Sequence, residues 1–202
     1  MSLFKDWINV LKEPESFYSR SDISDGASYP LKFAAVMIVI SASIKSITIG
    51  LSYSNIITLG RTFQGSLLLR FLTEAGSFAP QGAATLIFFD ALIGGLLLLF
   101  FEGAIIYLFV KIFGGSGSYM STVSAIAFYT ALSPIMALSS VLPFGAIITG
   151  IVQFYGIYIV TRGVEQYNSM KFSMALLAVL APLILSFIFG FTFAIGANLA
   201  VN

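Results

Sequence analysis

Three ionisable side chains lie within long apolar stretches of the sequence: Lys45, Asp90 and Glu102. Charged groups in lipid are costly, and they mark ion paths, proton relays or ion pairs between helices. At a rise of about 1.5 Å per residue, Lys45 and Asp90 would both lie roughly 10 Å below the outer membrane surface. The spacing predicts a Lys45–Asp90 salt bridge that pins two helices, with a transport role as the alternative.

Glu102 would lie some 18 Å deeper than this pair, where neither helix offers a basic partner. Several environments would make its carboxyl group tolerable. It could hydrogen-bond to Gln153 or Tyr129, face a wet cavity that couples protons or ions, or meet Lys32 or Lys111 near the cytoplasmic face. The sequence leaves these alternatives open.

Other kinds of chemistry find little support in the composition. The chain has no histidine and no cysteine, which excludes disulfides and the usual ligands of zinc, copper and haem iron. A serine nucleophile with Lys45 as base has nothing to single it out. The glycine run at 114–117 lacks the lysine of a phosphate-binding loop. A net charge of +1 shows no nucleic-acid footprint. We therefore expect no enzyme, no cofactor and no metal site.

The elements that carry these residues follow from hydropathy. The chain is 58% hydrophobic and only 9% charged, whereas a soluble domain carries about 25% charged residues. We predict an all-α integral membrane protein, a five-transmembrane-helix bundle formed by residues 31–202, preceded by a cytoplasmic amphipathic helix and polar linker at 1–30. The approximate spans are 31–52, 84–112, 120–141, 145–162 and 172–197.

Orientation follows from the basic residues. Apart from Lys45, seven of the Lys and Arg residues lie in loops or at span ends on the N-terminal side, and two lie on the other side. The positive-inside rule then places the N-terminus in the cytoplasm and the C-terminus outside. The loop at 53–82 is too polar and broken to span, so we expect surface-lying helices there, with a re-entrant segment as the alternative.

The N-terminal segment has the pattern of an amphipathic helix that ends at Pro14. Its polar face holds Lys5, Asp6, Asn9 and Lys12, and the polar linker at 19–28 follows it. The helix either lies among the lipid headgroups or docks on the end of the bundle. Its apolar stripe contains Leu3, Phe4, Trp7, Ile8 and Leu11.

Glycines and prolines predict how the spans turn. Gly114, Gly115 and Gly117 form a tight turn between the second and third spans, with Ser116 or Ser118 capping the next helix. Pro134 kinks the third span, and its freed carbonyl needs a serine, a threonine or water as partner. Pro143 starts the fourth helix. Pairs of small residues, such as Ala91 with Gly95, indicate close packing of helices, or self-association.

These motifs together resemble the Yip domain family, polytopic membrane proteins named for binding Ypt/Rab GTPases. The resemblance implies a five-span bundle with a cytoplasmic N-terminus and, in eukaryotic relatives, a role in vesicle traffic and membrane shaping. It rests on IFGGSGSY at 112–119, AFYTALSP at 127–134, LPFG at 142–145, FYG at 154–156 and RGVE at 162–165.

The chain is most similar to the short archaeal or bacterial members of that family. It lacks a long cytoplasmic N-terminal region, which weakens the case for binding a small GTPase. We predict a non-catalytic protein of a prokaryotic plasma membrane that organises membrane or recruits partners, in contact with the bilayer and with a protein partner or another copy of itself. The alternatives are a small transporter or channel using Lys45, Asp90 and Glu102, or an accessory subunit of a larger membrane complex.

Overall fold

The computed structural model describes the backbone of residues 3–20, 27–51 and 80–201, and the side chains of residues 3–20, 27–48 and 84–188. All regular structure in these ranges is helical. The elements are α1 (Leu3–Lys12), α2 (Pro14–Tyr18), α3 (Ser28–Leu51), α4 (Pro80–Ile112), α5 (Tyr119–Ala127), a 3₁₀ helix (Phe128–Leu132), α6 (Ser133–Ser139), α7 (Gly145–Tyr167) and α8 (Phe172–Val201).

Four segments of the described chain are long and apolar enough to cross a membrane: Ser28–Thr48, Ala84–Ile112, Tyr119–Ser139 and Gly145–Tyr167. The fifth predicted span lies in α8, whose described apolar part is the shorter Phe172–Ile188. The prediction of an all-α membrane protein is confirmed. Most of the predicted loop at 53–82 and of the linker at 19–28 lies outside the described residues.

The third span differs from the single kinked helix that the sequence suggested. Pro134 lies in the first turn of α6, and the chain before it forms the 3₁₀ helix. The reason is local hydrogen bonding. An α-helix through Pro134 would leave the Thr130 carbonyl without a donor, because proline has no N–H. In the 3₁₀ turn the N–H of Ser133 bonds to that carbonyl instead. Pro134 therefore lies in the first turn of α6, at the junction with the 3₁₀ helix.

The second proline also differs from its prediction. Pro143 lies in the turn before α7, which begins only at Gly145. Phe144 adopts a left-handed conformation, with φ of 67°, and the backbone of Gly145 passes against the carbonyl oxygen of Ser139 so closely that no Cβ fits. The reversal depends on this close approach, and Pro143 only restricts the chain that leads into it.

The broken third span is the centre of the bundle. In the most apolar 18-residue stretch of this span, 67% of the residues are buried, against 11% in the corresponding stretch of α4. Glycines allow the close contacts around it, since a Cβ on Gly103 would lie 2.7 Å from Val123 Cγ2. Many large apolar side chains of α4 remain on the outside, as expected for a helix that faces lipid. They include Phe89, Ile93, Leu97, Leu98, Phe101, Leu108 and Ile112.

Candidate functional site

Residues 3–20, which we call the N-terminal arm, dock against the side of the bundle near the end where α3 begins. Trp7 makes the contact furthest along the third span. Its indole Nε1 donates to the carbonyl oxygen of Ala131 in the 3₁₀ helix, at 2.7 Å. In a 3₁₀ helix the N–H of residue 134 would donate to the Ala131 carbonyl, but proline has no N–H. The proline thus leaves a backbone acceptor available to the arm.

Two tyrosines hold the rest of the arm by donating to backbone carbonyls. The Tyr155 hydroxyl on α7 donates to Leu11 at the end of α1, at 2.7 Å. The Tyr18 hydroxyl on α2 donates to Ala125 on α5, at 3.0 Å. Tyr18 is 1% exposed, and this burial, with a further contribution from Tyr167, raises the pKa of its phenol well above the usual value. The phenol therefore stays a neutral donor at physiological pH.

A buried ion pair closes the arm on itself. Asp6 was predicted to lie on the polar face of α1, opposite its apolar stripe, but it is 2% exposed. Its Oδ1 accepts from Arg20 Nη1 at 2.8 Å, and its other oxygen accepts from the Tyr29 hydroxyl on α3. Both oxygens of the carboxylate are therefore engaged, as a buried charge requires. The pair ties the residues after α2 back to α1 and fixes both to the first turn of α3.

Arg162 on α7 joins the arm to the last helix. Its guanidinium contacts Glu15 on α2 at 3.0 Å and Glu165 at 2.8 Å. Its Cζ also lies 4.6 Å from the centre of the Phe172 ring on α8. A cleft of about 310 Å³ opens beside these groups. It is polar, and it is lined by Glu15, Ser16, Tyr18, Ser19, Arg162, Glu165 and Gln166.

The glycine turn after α4 packs against the turn that follows α7. Gly114 has φ of +85°, and Gly117 passes against Asn168 so closely that no Cβ fits. The Ser116 N–H donates to the Asn168 carbonyl at 3.0 Å. Ser118 caps α5 through a reciprocal pair of bonds with Ser121. These contacts join the turn at 113–118 to the turn that follows α7.

Comparison with known proteins gives a family. The model of the Yip1 domain matches residues 8–194, which include most of the arm, the broken third span and most of α8. The chain belongs to the Yip1 domain family. No curated protein and no solved structure matches it. Two glycines in the stretches that first suggested this family lie at close contacts in the Yip1 domain: Gly156 packs on Tyr129 of the 3₁₀ helix, and Gly163 packs on Tyr18 of the arm.

The predicted Lys45–Asp90 ion pair is absent from the described part of the Yip1 domain. The register of α3 against α4 explains this. Ser46 Oγ donates to the Ala84 carbonyl at 2.8 Å. This contact places Lys45 opposite the start of the apolar part of α4, which begins at Ala84, and Asp90 lies about a helical turn further along. The two charges lie on adjoining helices at different heights.

The same register brings Glu102 level with Lys32, which is one of the alternatives that the sequence left open. Ile38 lies against Gly95, and about two turns further along the pair Lys32 and Glu102 reach one level, near the start of α3. Within the described ranges, Glu102 makes no hydrogen bond to Tyr129, although the two groups interact electrostatically. That all three of these charges lie inside the membrane stays a prediction.

The groups that hold the arm were largely missed by sequence reasoning. Asp6 lies three residues after Leu3 and four before Val10, and this spacing could have placed it on the docking side of α1. Arg20 and Tyr155 gave no comparable signal, since their partners are distant in sequence. Arg162 has one local partner, Glu165, but its contact with the arm is to the distant Glu15. Among the residues that the structure describes, no three acidic side chains come close enough to hold a metal ion.

Proposed function

We propose that this Yip1-domain protein is a non-catalytic membrane protein that recruits a protein partner from the cytoplasm, using the docked arm and the cleft beside Arg162 as its recognition surface. The observation that carries the proposal is the way in which the arm is held. Three side chains bond to backbone carbonyls across the arm–bundle contact. A surface fixed in this way loses little conformational entropy when a partner binds.

The chemistry of the cleft supports a polar partner. Arg162 already has a carboxylate on each side, so its charge is largely compensated and an incoming anion would have to compete with both glutamates. Ser16 and Gln166 are exposed at the rim. The Gln166 amide can donate and accept, and the Ser16 hydroxyl, which donates to Glu13, can still accept. Polar rims with satisfied charges are typical of interfaces between proteins that associate and separate.

Site-directed photo-crosslinking in native membranes tests the proposal. A photoreactive amino acid at Gln166 should give a discrete crosslinked protein. The same probe at Ser173, which is exposed in the first turn of α8 but does not line the cleft, serves as the matched control. Arg162→Ala should reduce the crosslink from Gln166, because it removes the contact between α2 and α7.

The outcome that counts against recruitment is a Gln166 probe that yields the same products as the Ser173 probe. The arm must be docked for this result to be decisive. The emission maximum of Trp7 reports docking, since it is the single tryptophan of the chain.

A further inference from the structure

The helix α1 presents two distinct sides, and the bundle covers only one of them. Asp6 and Val10, four residues apart, form the buried side, with exposures of 2% and 0%. Leu3, Trp7 and Leu11 pack at the edge of the same cluster of buried residues. The side of α1 that faces the bundle is therefore not the middle of its apolar stripe.

The part of the stripe that the bundle leaves uncovered is Phe4 and Ile8, one helical turn apart. Phe4 is 64% exposed, and Ile8 is only partly buried. Lys5 and Lys12, two turns apart, are exposed beside them. The nearby Glu13 is turned toward α2, where its carboxylate accepts from Ser16 Oγ at 3.0 Å. The outer face of α1 thus combines two apolar side chains with two lysines.

The contacts of α1 also give its height along the bundle. Trp7 bonds to Ala131, Leu11 bonds to Tyr155, and Asp6 bonds to Tyr29, which lies in the first turn of α3. Phe33, one turn further along α3, lies 5.1 Å from Phe128 between ring centres. The helix therefore lies level with the start of α3, and about halfway along the third span and α7. We place the boundary between lipid headgroups and acyl chains at the start of α3, where that candidate span begins.

We infer that the outer face of α1 binds anionic phospholipid, with Phe4 and Ile8 among the upper acyl carbons and Lys5 and Lys12 at the headgroup phosphates. Charge complementarity favours anionic phospholipid over another apolar protein surface as the ligand of this face. The two lysines lie beside the apolar pair, and α1 itself has no exposed carboxylate. The inference deepens the proposed function by naming what the arm contacts on its lipid side. It uses residues outside the cleft.

Trp7 provides a local probe for this lipid site. Its ring lies 5.7 Å from that of Phe4, between centres, and a brominated lipid at the outer face should quench its fluorescence. The full-length protein is reconstituted in zwitterionic vesicles that contain either brominated phosphatidylglycerol or brominated phosphatidylcholine at equal mole fraction. Quenching titrations give the preference of the site for the anionic lipid. Since a basic residue near an anionic surface strengthens binding about fivefold, two lysines should give a preference on the order of 25-fold.

The variants separate this inference from general charge effects. Lys5→Gln with Lys12→Gln should abolish the preference while leaving the emission maximum of Trp7, and therefore docking, unchanged. Lys171→Gln removes the same charge from an exposed position in the turn before α8 and should retain the preference. Equal quenching of the wild type by both lipids, or a preference that survives the double substitution, overturns the inference, and so does the absence of quenching by either lipid. Crosslinking from Gln166 is measured separately, so each proposal can fail without the other.

Discussion

Gly163 should decide whether the arm stays docked, because it lies directly under Tyr18, the largest fully buried side chain of the arm. A Cβ at this position would lie 2.9 Å from Tyr18 Cζ and 2.9 Å from Ala125 Cβ. Carbon atoms in contact normally lie about 3.5–4.0 Å apart. Gly163→Ala therefore requires both neighbours to give way: α7 must shift slightly from α5 at Ala125, and Tyr18 must leave its position.

The size of the effect follows from two contributions. Overpacking a closed site costs about 1–3 kcal/mol, and displacement of Tyr18 removes its hydrogen bond to Ala125, worth about 1 kcal/mol. The higher helix propensity of alanine does not enter, because α7 is helical whether or not the arm is docked. The loss of docking free energy is about 2–4 kcal/mol, which raises the undocked fraction of the arm by about 30- to 700-fold.

The measurement is the emission of Trp7 and its quenching by acrylamide in nanodiscs, both of which report release of α1 from the bundle. Gly150→Ala is the matched control: it makes the same chemical change in the same helix, and its Cβ would meet nothing within 4 Å. Release with Gly163→Ala and none with Gly150→Ala is the expected result. If the two variants behave alike, the arm is not held through Tyr18 and the reasoning is refuted.

Three further outcomes follow from the arm and from Glu102. Asp6→Asn should weaken docking by about 1.5–3 kcal/mol, less than for a fully buried pair because the side chain of Arg20 is 32% exposed; unchanged Trp7 emission would contradict this. Burial raises the Tyr18 pKa, so the docked arm holds the phenol proton more tightly than the free arm. Docking should therefore be complete below about pH 10 and weaken above it. Tyr18→Phe should reduce this pH dependence of Trp7 emission. Glu102→Gln should leave both Trp7 emission and the ion permeability of proteoliposomes as in the wild type, whereas loss of a proton- or ion-coupled flux would favour the transporter.

Much of this architecture is readable from the sequence, because it depends on local patterns. Apolar length predicts α3, α4 and α7, and glycine spacing predicts the turn after α4. The contacts that decide the site are different in kind. Trp7 bonds to a residue 124 positions away, and Asp6 is buried only because Arg20 and Tyr29 both reach it.

Glu102 shows the same limit in the membrane part. Its depth was inferred by counting residues from the start of a predicted span, a method that assumes that α3 ends and α4 begins at matched heights. The observed register is set by a side-chain contact, Ile38 against Gly95, and by the Ser46 bond to Ala84. Neither contact can be recognised from the sequence of one helix alone. Hydropathy therefore predicts which residues form the helices, but not the relative height of α3 and α4.

Pro134 connects the local and the distant contacts, and this leads to a final prediction. Pro134→Ala supplies an N–H beside the Thr130 and Ala131 carbonyls, so the 3₁₀ segment can continue as an ordinary helix and satisfy those acceptors internally. Trp7 then competes with the backbone for Ala131, and docking should weaken by the value of one hydrogen bond, about 0.5–1.5 kcal/mol. Thermal stability of the bundle should stay the same or rise, opposite in sign to the change in Trp7 emission. Pro143→Ala, in the turn before α7, should change neither. A stable bundle with Trp7 still docked would show that the proline does not serve the arm.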